Sequence, residues 1–77
     1  MNSKVFPQCG IVTSLDSAAY EAKVLIPVYK YETDYIEIAR NIHIRTGAND
    51  TGLEVGSVVV VSFINGDIND GKVTAWL

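Results

Sequence analysis

Along most of this chain, apolar and polar residues alternate in short runs broken by turn-forming residues. Ile36, Ile38, Ile42 and Ile44 recur with a period near two, not the 3.6 of a helix, and isoleucine and tyrosine suit strands. Five strands are predicted, over residues 10–15, 20–28, 35–45, 58–64 and 72–77. Asp16-Ser17-Ala18-Ala19 forms the first break, Pro27 falls near the end of the second strand, and residues 29–33 form a polar and aromatic connection. Arg40-Asn41 marks a bulge or bend in the long third strand. Residues 46–52 are a run of turn formers, and Asn65-Gly66-Asp67 opens a hairpin connection.

Short strands joined by turns imply a sandwich or a barrel. Five strands are too few for a two-sheet sandwich with a good core, and closure removes the unpaired edges. The expected fold is all-β, a single domain over residues 1–77 forming a five-stranded OB-type barrel, with an SH3-like barrel as the alternative. Alternation puts Val59, Val61 and Phe63 inside, facing Ile36 and Ile38 across the core. Val58 and Val60 then face outward, and the run Val24-Leu25-Ile26 repeats the problem by placing Leu25 outside. Apolar residues on both faces of a strand imply that both faces are covered, and no predicted helix is available to do so. Trp76 has the opposite parity to Val73, Ala75 and Leu77 and adds an aromatic anchor. Leu25, Val58, Val60 and Trp76 are therefore the candidate self-association residues.

Composition sharpens this picture. Charged residues are only 19% of the 77, a low share for a small domain with much surface, and suggest surface covered by protein. The net charge is −3, and the six basic residues, Lys4, Lys23, Lys30, Arg40, Arg45 and Lys72, are scattered. Nucleic-acid binders display a basic stripe, so neither nucleic acid nor an anionic membrane is the expected partner. Residues 1–7 lack the apolar stretch of a signal peptide. Cys9 is the only cysteine and has no local base or positive cluster, so it reads as a small, half-buried hydrophobe. His43, the only histidine, alternates with Ile42 and Ile44 and reads as a surface residue. The acidic spacing of residues 65–71 evokes a calcium loop, but the glycine and glutamate such a loop needs at its sixth and twelfth positions are missing. No nucleophile–base arrangement or phosphate loop is apparent, so no enzyme activity, cofactor or metal is expected.

The stretch Leu53-Glu54-Val55-Gly56-Ser57-Val58-Val59-Val60-Val61-Ser62-Phe63-Ile64-Asn65-Gly66-Asp67 resembles the end of the OB domain in phage baseplate spike proteins, which also occurs in type VI secretion spikes. Gly10-Ile11-Val12-Thr13 with Asp16 is similar to that domain's first strand and turn, Ala22-Lys23-Val24-Leu25-Ile26-Pro27 to its second strand, and Thr33-Asp34-Tyr35-Ile36-Glu37-Ile38-Ala39 to the entry of its third. The likeness covers nearly the whole chain. Ser57 stands where aspartate is usual, and Gly71-Lys72 where proline is common. No β-helical needle or lysozyme stretch follows Leu77. The resemblance implies a stand-alone hub module at the virion tail tip, assembled in the bacterial host cytoplasm. It would act as a homotrimer with other tail hub or spike proteins and would not engage membrane by itself. A single-stranded nucleic-acid module and a pentameric shell-vertex protein are the alternatives, because fold alone does not choose among them.

Overall fold

The computed structural model describes residues 7–67 and 70–77. The expectation about residues 1–6, and part of the hairpin expectation for residues 65–71 (Ile68 and Asn69), lie outside the described residues. Six strands form: β1 (Gln8–Asp16), β2 (Glu21–Ile26), β3 (Tyr31–Glu32), β4 (Ile36–Ile38), β5 (Val58–Phe63) and β6 (Gly71–Trp76). β1 pairs antiparallel with β5 through residues 8–11 and with β2 through residues 11–16. β5 pairs antiparallel with β6, β6 parallel with β4, and β4 antiparallel with β2. These pairings return to β1, so five strands close into a mixed barrel of the OB type, and β3 is a short addition beside β2.

The sequence dictates how β1 can pair on both sides. The register with β2 shifts between Val12 and Ser14, so Thr13 is an extra residue that bends the strand. Gly10 supplies the close approach: a Cβ built there would stand 2.9 Å from the Leu25 carbonyl oxygen and would collide with the Val24 side chain. The core is almost wholly aliphatic. Val12, Val24, Ile26, Ile38, Val59, Val61 and Val73 are fully buried, and Ile36 and Phe63 pack with them, as the alternation predicts. Thr33 is the buried polar residue among these, and its hydroxyl accepts the Val24 N–H at 3.0 Å while its own N–H reaches the Val24 carbonyl at 2.8 Å.

Two expectations about strand extent are corrected. The connection over residues 29–33 contains β3, reached through a one-turn 3-10 segment, Pro27–Tyr29, that ends on Lys30 in the left-handed region. Pro27 has no N–H for the ladder and preset backbone geometry for such a turn, so β2 stops at Ile26. The third predicted strand, residues 35–45, is strand only over β4. Its chain turns at Arg40-Asn41, with the Ile42 N–H bonded to the Ala39 carbonyl at 3.0 Å. Ile42 and Ile44 nevertheless point inward from a loop, and with Leu53 they join the buried core. An isolated parallel bridge between Ile44 and Leu53 fixes that loop. Gly52 permits it, since a Cβ there would lie 2.8 Å from both the His43 carbonyl oxygen and the Arg45 nitrogen.

Two stability outcomes follow. Phe63→Ala should cost about 3–5 kcal/mol in a urea melt; a loss below about 1 kcal/mol would contradict its place in the core. Gly10→Ala should cost about 1–3 kcal/mol through overpacking, although Ala normally favours a regular element over Gly. An unchanged or raised midpoint would show that β1 and β2 do not approach as described.

Candidate functional site

Directly opposed residues in an antiparallel ladder share a face, so the registers map the outer surface of the barrel. Ile11 lies opposite Leu25 on one side and Val58 on the other. The Leu77 N–H donates to the Val58 carbonyl at 3.0 Å and extends the row by one strand. The result is a transverse row, Leu25–Ile11–Val58–Leu77, with exposures of 37%, 39%, 43% and 69%. A second row runs beside it: Cys9 opposite Val60, and Val60 opposite Ala75. Pro27 closes the corner, and with Cys9, Gly10, Ile11 and Val58 it lines a shallow apolar depression of about 210 Å³. The first row continues past Leu25 to Glu32 on β3, whose carboxylate accepts from the Thr13 hydroxyl at 2.6 Å and borders the apolar residues on that side.

The other ends of β1, β2 and β6 are different in kind. There Asp16 lies opposite Glu21, Glu21 opposite Glu37, and Glu37 beside Lys72. Like charges placed directly across a ladder repel, and the Lys72 ammonium relieves this only loosely, at 3.8 Å from Glu37. A cleft of about 320 Å³ opens at this edge, between Tyr35, Glu37, Ile64 and Lys72. The Tyr35 ring is fixed by a 2.8 Å hydrogen bond between its hydroxyl and that of Ser14, and by the Lys23 ammonium 5.2 Å from its centroid. One end of these strands is therefore polar and rich in carboxylates, and the other is mainly apolar, with Glu32 at its border.

The sequence-derived residues distribute as follows. Leu25, Val58 and Val60 lie together on the apolar face. Trp76 does not keep the parity assigned to it. The ladder between β5 and β6 shifts between Val60 and Val61, making Thr74 the extra residue and setting Trp76 opposite Val59. Trp76 thus shares the side of Val59 and not that of Val58 and Val60, and it remains 42% exposed. Cys9 is also corrected: it is exposed, on the apolar face, not half-buried. Ala75 and Leu77, grouped by alternation with Val73, lie instead on the outer face because of the same shift, and Ile11 is a further member that alternation did not single out. Their membership depends on which strands become neighbours.

His43 is exposed on its loop, between buried Ile42 and Ile44, as its alternation predicts. Its Nε2 donates to Asp50 Oδ2 at 2.6 Å, and the same oxygen accepts from the Thr46 N–H at 3.0 Å and the Thr46 hydroxyl at 3.1 Å. The imidazole first, and then the Thr46 N–H, hold the Asp50 carboxyl at about 2, below its ordinary 3.8. Beside this pair, Arg45 bonds Glu54 at 2.7 Å and the carbonyls of Gly47 and Ala48. These contacts lie within one loop and staple it. Among the described residues, no three His, Cys, Asp or Glu side chains converge where a metal ion could be held. Neither a protein-family model nor a curated protein matches this sequence.

The Asp50 shift fixes the sign of an acid response. A carboxyl whose value is lowered on folding stabilises the fold above its unfolded value of 3.8, and that contribution is lost as pH falls towards 2. Thermal midpoints should therefore fall between pH 4 and pH 2, and Asp50→Asn should flatten that part of the profile. Parallel profiles for the two proteins would show that the staple contributes nothing.

Proposed function

We propose that this chain is a structural module of a phage tail baseplate or a related contractile injection machine, an OB-type barrel of the central hub acting through homo-oligomerisation. The observation that carries the reading is the apolar outer face formed by the rows Leu25–Ile11–Val58–Leu77 and Cys9–Val60–Ala75, bordered by Glu32. Isolated apolar residues on a surface need no explanation, whereas a contiguous patch crossing several strands marks a place where protein is covered by protein. The closed OB-type barrel agrees with the resemblance to baseplate spike domains, and that resemblance supplies the number three. Closed rotational symmetry buries such a face without generating fibres. The carboxylate row Asp16–Glu21–Glu37 argues against a phosphate-bearing partner at that end of the strands.

Sedimentation velocity at micromolar concentration, with native mass spectrometry, tests this reading. The expected result is a discrete species of three 8.4 kDa chains. Val58→Glu combined with Val60→Glu should convert it to a folded monomer, because both side chains lie outside the core. A wild-type chain that remains monomeric would remove the reading's main support. Five copies would favour a shell vertex instead, and tight low-salt binding of a single-stranded oligonucleotide would favour the nucleic-acid module.

A further inference from the structure

Of the five asparagines in the chain, Asn65 alone is followed by glycine. Gly66 has no Cβ to shield its own backbone nitrogen, and Asn65 is exposed, so its side-chain amide is open to water. We infer that Asn65 is a site of spontaneous deamidation, and that the turn it occupies sets the rate. In this reaction the Gly66 nitrogen attacks Asn65 Cγ and loses its proton, while the side-chain nitrogen leaves as ammonia. The product is a five-membered cyclic imide, which water then opens. Cleavage of the new bond between nitrogen and Cγ gives aspartate on an unaltered backbone. Cleavage of the original peptide bond gives isoaspartate, whose backbone runs through Cβ and Cγ. Water is the only co-reactant.

The geometry of the turn holds this reaction back. Ring closure needs the Gly66 nitrogen to eclipse Asn65 Cβ, which the tetrahedral bonds of an L-residue place at a ψ near roughly −120°. Asn65 instead sits in the left-handed region, with φ 55° and ψ 20°. Its ψ must therefore swing by roughly 140° before the ring can close. Such a swing turns over the peptide between Asn65 and Gly66 and carries Asp67 with it. It breaks the bond from the Asp67 N–H to the Ile64 carbonyl, 3.0 Å long, and disturbs those from the Ile64 N–H to the Asp70 carbonyl at 2.8 Å and from the Asp70 N–H to the Asp67 carbonyl at 3.0 Å. Deamidation thus proceeds from the opened connection, in competition with its closing. The two products then meet different fates. Aspartate tolerates the left-handed region much as asparagine does, so the turn re-forms around it. Isoaspartate adds a carbon to the backbone inside the one-turn segment Ile64–Gly66, and the turn does not re-form. Either product brings a further carboxylate to a connection that already holds Asp67 and Asp70.

Incubating the wild-type chain in heavy-oxygen water at mildly alkaline pH, folded and in guanidinium chloride, tests this. Peptide mapping by mass spectrometry should find one heavy oxygen at residue 65 in both samples, ahead of Asn2, Asn41, Asn49 and Asn69. The folded chain should take up that label at least about tenfold more slowly than the denatured chain. Asp70-Gly71 can form a similar imide, so fragmentation must separate residue 65 from residue 70. Equal rates in the two samples would overturn the control by the turn. Label entering residue 65 no faster than the other asparagines, in either sample, would overturn the site itself. Asn65→Asp should melt close to the wild-type midpoint, and the chromatographically separated isoaspartate form should melt lower. Coincident midpoints for those two forms would overturn the different fates of the products.

Discussion

Everything in this fold depends on β1 being shared. A five-stranded sheet becomes a barrel only when one strand satisfies backbone partners on both sides, and β1 does so along its length, with β5 at one end and β2 at the other. Two small local features make this possible. Gly10 lets β2 approach within a distance that any side chain would forbid, and the extra residue Thr13 re-aims the strand after it has left β5. The outer face inherits its character from the same sharing. Ile11 is the residue at which both ladders meet, so it links Leu25 to Val58 and turns separate apolar residues into one surface.

The inner half of this design is legible in the sequence because strand alternation is a local property. Val59, Val61, Phe63, Ile36 and Ile38 announce their burial by spacing alone, and a chain of this composition has few other ways to bury them. Alternation does not, however, report hydrogen bonding. Ile42 and Ile44 keep a period of two in a loop without a ladder, because an extended chain turns successive side chains to opposite sides whether or not it is paired. The predicted strand over residues 35–45 fails for that reason, although its inward residues are correct.

The outer half is less legible because it depends on neighbours. Leu25 and Val58 read as outward-facing from their own strands, but their adjacency is set by a register that joins residues distant in the chain. Trp76 shows the opposite failure. One extra residue at Thr74 reverses parity for everything after it, and no residue preference at that position signals the change. Cys9 has no base or positive cluster beside it in the sequence, and its small apolar side chain predicts partial burial. Its exposure follows from lying on the outward side of β1 where that strand pairs with β5.

The shared strand also fixes the order in which the chain can fold. β1 and β2 are separated by a short turn and can pair as soon as both exist, whereas residues 8–11 must wait for residues 58–61. Closing that long loop costs entropy before any contact across it forms, and parallel pairing of β4 with β6 adds a second distant closure. On a ribosome, which releases the chain from its N-terminus, one edge of β1 stays unpaired through most of synthesis. That edge carries Ile11, so the central residue of the apolar face is also the one longest without its full set of neighbours.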